Sequence, residues 1–102
     1  MDGNSEEAEA MNAKAKGSRR EHQARKILET AGYYVLKAGG SLGIWDLVAL
    51  GPACVRLVQV KSNEKPRPAE RERLELLPCL PYASKEVWVF HDRHREPAIE
   101  VL

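Results

Sequence analysis

Residues 43–62 place an acid, an amide and a lysine where strands are usually apolar. Asp46 stands among Ile44, Leu47 and Val48, and Gln59 and Lys61 close an apolar run that starts at Val55. A carboxylate in such surroundings is costly unless a cation or a base compensates it. Gln59 and Lys61 are two residues apart, so on a strand their side chains share a face. Gly51-Pro52-Ala53-Cys54 reads as a short turn between the strands Ile44–Leu50 and Val55–Lys61. A turn centred between Pro52 and Ala53 sets Asp46 opposite Gln59, with Lys61 beside them. Asp46, the Gln59 side-chain oxygen and the Val60 carbonyl could then supply part of the oxygen shell of Mg²⁺, with Mn²⁺ as a substitute. Lys61 could activate a water or stabilise charge building on a phosphate. The chemistry implied is phosphodiester hydrolysis. The alternative is purely structural: a buried Asp46–Lys61 salt bridge beside a hydrogen-bonded Gln59.

Other elements must hold these strands. Ser18-Arg19-Arg20-Glu21 has the form of a capping box. Ala24, Ile27, Leu28 and Ala31 follow at helical spacing, and Gly32 supplies a left-handed stop, so a helix is predicted from about Arg19 to Ala31. Tyr33 to Ala38 is strand-like and is broken by Gly39-Gly40-Ser41-Leu42-Gly43. After a polar loop, a second helix is predicted over Ala69–Leu77, with Leu74 and Leu77 toward the core and Pro78 and Pro81 limiting it. Strands are expected at Glu86–His91 and Ala98–Leu102. The order is α-β-β-β-α-β-β, an α/β class fold with a mixed sheet flanked by helices.

At 102 residues the chain reads as one globular domain, residues 16–102, behind a flexible acidic arm over residues 1–15. No apolar run approaches the roughly 20 residues of a membrane span, and the N-terminus does not read as a signal peptide. Cys54 and Cys79 form neither a CxxC pair nor a disulfide framework, which fits a reducing, cytoplasmic setting. His22, His91 and His94 lack a zinc spacing. The formal net charge of +1 is unevenly spread. Asp2, Glu6, Glu7 and Glu9 load the first ten residues, leaving 16 bases against 11 acids in the rest. Six bases lie between Lys14 and Lys26, with Glu21 as the one acid among them. Such a patch suits phosphate, or is simply a solvated helix face.

Taken together, Lys16-Gly17-Ser18 with Glu21, Gly40-Ser41, Gly43-Ile44-Trp45-Asp46-Leu47 and Gln59-Val60-Lys61 resemble the PD-(D/E)xK nuclease superfamily. Within it the sequence is similar to the archaeal Holliday junction resolvases from about Lys16 to Lys61. The resemblance implies a restriction-endonuclease-like fold. It implies that Asp46 is the central metal ligand, Gln59 the second-acid position and Lys61 the signature lysine. Glu21 would be the acid of the first helix, turned toward the metal, unless it serves only the capping box. Ser41 would approach the scissile phosphate, or is a plain turn residue. Lys16, Arg19, Arg20, Arg25 and Gly40 would contact the DNA backbone. The sequence departs from those resolvases at Gln59, where glutamate usually stands; one negative charge is lost and metal affinity should fall.

The expectation is thus a Mg²⁺-dependent endonuclease acting as a homodimer on four-way or other branched DNA, with no membrane contact and associated with the nucleoid. Two cuts in a symmetric junction call for two sites, which a C2 dimer provides. The second helix and the segment Leu76 to Tyr82 are a candidate dimer surface. The alternatives are a nickase or helicase-associated nuclease, and a catalytically inactive DNA-binding dimer of the same fold.

Overall fold

The computed structural model describes residues 5–38 and 44–102, residues 5–15 by main chain alone. The elements are α1 (Ser5–Thr30), β1 (Tyr34–Lys37), β2 (Leu47–Leu50), β3 (Val55–Ser62), α2 (Pro68–Leu76), β4 (Ala83–Phe90) and β5 (Ala98–Val101). The strands form one mixed sheet in the order β1-β2-β3-β4-β5. All neighbours are antiparallel except β3 and β4, which run parallel with α2 as the crossover. The expected α-β-β-β-α-β-β order is the order found.

Alternation sorts the sheet's side chains onto two faces. On one, Ala24 and Leu28 of α1 are buried against Val35, Leu47, Ala49, Val58, Trp88 and Phe90. On the other, Leu74 of α2 is buried with Trp45, Val87 and Val89. Leu74 is the one buried residue of α2. A buried leucine contributes about 1.5–3 kcal/mol, which is little to hold a helix. Polar contacts complete the docking. The Lys85 ammonium donates to the carbonyls of Leu74, Glu75 and Leu77 at 2.9, 2.6 and 2.9 Å, capping the negative end of α2. Arg71 pairs with Glu75 within α2 and with Glu100 of β5.

Several boundaries differ from the sequence expectation. Helix α1 starts at Ser5, not near Arg19, so Ser18 and Glu21 lie inside it and form no N-terminal capping box. The upstream Glu, Ala, Met and Lys residues are good helix formers without an apolar period, so a search for periodicity passes over them. The C-terminal end is as expected. Tyr33 N–H donates to Leu28 O, Gly32 N–H donates to Glu29 O, both at 3.0 Å, and Gly32 adopts φ +97°. This is a Schellman motif. Strand β2 begins at Leu47, so Asp46 directly precedes the strand rather than lying within it. Strand β4 begins three residues earlier than expected. Leu77 is exposed, as is Cys79, and Cys54 is only half-buried, so neither thiol belongs to the core.

A charged pair is built into the α1 side of the sheet. The Arg56 guanidinium makes two hydrogen bonds to Glu86, at 2.8 and 2.6 Å, between the rings of Tyr33 and Trp88. Glu86, 3% exposed, also accepts from Ser84 and from the Trp88 indole. Burial pushes its carboxyl up, but these donors more than offset that and hold it below the ordinary 4.5. Glu86 therefore stabilises the fold above that ordinary value, and the contribution is lost as pH falls through the lower native one. Glu86→Ala strands a partly buried guanidinium and is expected to cost about 3–5 kcal/mol in urea unfolding at neutral pH. A loss below about 1 kcal/mol would reduce the pair to the rank of a surface contact.

Candidate active site

The β2–β3 hairpin aligns Leu47 with Val58, and the Asp46 N–H donates to Val58 O at 2.9 Å. Extending that register sets Asp46 opposite Gln59, as the turn position implies. Asp46 is fixed at three points. Its N–H is bound as described, its carbonyl accepts from Ala38 N–H at 2.9 Å, and its Oδ2 accepts from Val60 N–H at 2.7 Å. By alternation Asp46, Gln59 and Lys61 share the α2 side of the sheet.

The structural alternative for these residues is not what the chain adopts. The Lys61 ammonium pairs with Glu70 of α2 at 2.9 Å, not with Asp46. Gln59 is buried, and its Oε1 has no hydrogen-bond partner among the described residues. A buried carbonyl left unpaired costs about 1–3 kcal/mol. That oxygen, on the residue opposite Asp46, fits a hard oxygen-seeking cation. The donor set is low in charge, and among the described residues no three His, Cys, Asp or Glu side chains gather closely enough to hold a metal. Any cation would rest on Asp46 and the Gln59 amide oxygen first.

Burial raises the Asp46 carboxyl above its ordinary 3.8; the Val60 amide and the Lys61 charge pull it down, and Glu70 pushes it up. Glu21 is likewise raised, by burial and then by the charge of Asp46, against the opposing pull of Lys37. The Lys37 ammonium lies 3.9 Å from Glu21. Glu21 thus reaches the electrostatic neighbourhood of Asp46 from α1. It also lines a cleft of about 170 Å³ with Ser18, His22, Arg25, Lys37 and Leu47. Sequence reasoning missed Lys37 and Glu70. The signal for Glu70 was an acid in the first turn of α2, and only the crossover geometry brings it to Lys61.

The basic residues expected on α1 are not equivalent. Arg20 is buried, stacks over Phe90, and its guanidinium is engaged by Asp92 at 2.8 Å and by Gln23. Its guanidinium is thus engaged within the fold, and a phosphate contact by Arg20 would have to displace Asp92. Lys16 also pairs with Asp92, at 2.8 Å, and Arg25 pairs with Glu29 at 3.2 Å. Arg19 is exposed. Gly40 and Ser41 lie outside the described residues. Trp45, next to Asp46, is buried in the core of the α2 side.

The same architecture exists in a protein of known structure. The 1.6 Å structure of Archaeoglobus fulgidus Hjc, described as a Holliday junction resolvase from an archaeal hyperthermophile, superposes with a TM-score of 0.64. The match covers 85% of this chain and 71% of that one, at 22% identity. The chain has the Hjc-like nuclease fold. No protein-family model matches it, and no curated protein matches it by sequence. Among the described residues no helix is long and apolar enough to cross a membrane.

A buried carboxylate with a raised value disfavours the native state wherever it must be charged. The penalty is nil below the ordinary Asp46 value, grows as pH rises toward the native one and is complete above it. Asp46→Asn, which keeps an acceptor for Val60, is expected to raise the melting temperature at neutral pH. The gain should vanish in acid. An unchanged or lowered melting temperature at neutral pH would contradict this description of Asp46.

Proposed function

We propose that the chain is a divalent-cation-dependent endonuclease of the PD-(D/E)xK superfamily, hydrolysing phosphodiesters in branched DNA as a Holliday junction resolvase. The observation that carries this is the Asp46 carboxylate, fixed by the Val60 amide opposite Gln59, whose buried oxygen has no partner among the described residues, with Lys61 two residues on. The fold likeness to a protein described as a Holliday junction resolvase supports the substrate class.

Asp46, Gln59 Oε1 and the Val60 carbonyl would hold Mg²⁺ or Mn²⁺, with Glu21 adding charge from α1. When bound, the ion supplies Lewis-acid polarisation of the phosphate. Asp46 keeps its orientation through its backbone and side-chain hydrogen bonds. Lys61 donates to a phosphate oxygen as charge develops there, exchanging Glu70 for the substrate. Glu21 and Lys37 form the α1 wall of the site. A C2 dimer would present two such sites to a junction. Exposed Leu76, Leu77, Leu80 and Tyr82 support the expected dimer surface.

A second reading has a specific basis. Gln59 brings no charge, and Lys61 is already occupied by Glu70. Both features suit a nuclease fold that binds DNA without cutting it. An end-labelled four-way junction and a matched linear duplex, each with Mg²⁺ or EDTA, separate the two. The expected result is paired, Mg²⁺-dependent cuts in the junction alone, reduced about 10²–10³-fold in Lys61→Ala. Tight junction binding without cleavage in either Mg²⁺ or Mn²⁺ would leave the second reading standing.

A further inference from the structure

We propose that the DNA backbone is gripped chiefly on the α2 side of the site, in a cleft that starts at Lys61 and runs along the loop before α2. The inference rests on the endonuclease reading and assigns the phosphate contacts that accompany it. The cleft has a volume of about 400 Å³ and is lined by Lys61, Lys65, Arg67 and Arg73, with Glu64 and Glu70. Four bases thus face two acids. Lys61 and Glu70 already neutralise each other at one end. Grip on a phosphate therefore falls to Lys65, Arg67 and Arg73. All three are exposed, and none has an acidic partner within salt-bridge distance among the described residues.

The contrast with α1 decides the assignment. There Lys16 and Arg20 share Asp92, and Arg25 is held by Glu29, so that only Arg19 and Lys26 are exposed bases of α1 without an acidic partner among the described residues, against three gathered in one cleft before and along α2. A phosphate at Lys16, Arg20 or Arg25 must displace a carboxylate; at Lys65, Arg67 or Arg73 it need not. The positive end of α2 lies in the same cleft. Arg67 is the N-cap residue and makes no side-chain cap bond, and the first-turn residues Ala69 and Glu70 line the wall. First-turn amides left without a cap favour an anion. The cleft is lined by Lys61, two residues along β3 from Gln59, so a strand lying in it would lead toward the candidate site.

The test uses the full chain and a four-way junction in EDTA, with binding followed by fluorescence anisotropy across a salt series. Each lost phosphate contact lowers the log–log salt slope by about 0.9. Lys65→Gln/Arg67→Gln/Arg73→Gln should lower it by about 2–3, and Arg19→Gln/Arg25→Gln/Lys26→Gln by less than about 1. Circular dichroism and melting temperature check that the triple variant is folded. Should it fail that check, Lys65→Glu alone, in the loop, should still lower the slope by about 1. A triple or single variant with the wild-type slope, or a larger loss in the α1 variant, overturns the proposal alone. Absence of salt-dependent DNA binding by the wild type overturns the endonuclease reading, and this proposal with it.

Discussion

The hydrogen bond from Val60 N–H to the Asp46 carboxylate ties the candidate chemistry to the sheet. It exists because the Gly51–Cys54 turn aligns Leu47 with Val58. A register slip of one residue would turn Leu47, Ala49 and Val58 out of the α1-side core and carry Asp46 away from Gln59. The packing that stabilises the hairpin therefore also enforces the geometry of the site. Gly51 contributes to that alignment. A side chain there would meet the Tyr33 ring at 2.8 Å, so the turn is pressed against the residue just before β1.

The two faces of the sheet treat charge differently. On the α1 side Arg56 and Glu86 satisfy each other, with Ser84 and Trp88 completing the carboxylate's hydrogen bonds. That network is closed and needs nothing from outside. On the α2 side Asp46 is raised by burial, the Gln59 oxygen has no partner among the described residues, and Lys61 leans on a residue of another element. That network is open. Open polar groups at the end of a central strand, next to clefts on either side, are what a binding site requires and a core avoids.

Local chemistry was legible in the sequence, and distant pairing was not. The turn centre yields the Asp46–Gln59 alignment because antiparallel register follows from loop position alone. Gly32 announces the end of α1 because the motif is local. Ser18 and Glu21 mislead for the same reason: the capping-box pattern is short, and it also occurs inside a continuous helix. The partners of the basic residues are hidden because they are remote. Asp92 lies 76 residues from Lys16 and is brought there by the bend after β4, where Asn63 also binds the Asp92 amide. Glu70 meets Lys61 only because the β3–α2 crossover folds back over the strand end.

The chain's two tryptophans are divided between the faces. Trp88 lies in the α1-side core against the Arg56 guanidinium, and Trp45 lies in the α2-side core beside Asp46. Each half of the protein thus carries its own intrinsic fluorophore. Emission from a chain with Trp88 replaced by phenylalanine reports the surroundings of the Asp46 backbone, and the reciprocal replacement reports the packing of α1. Events at the site and events in the main core can be followed separately, without any attached dye.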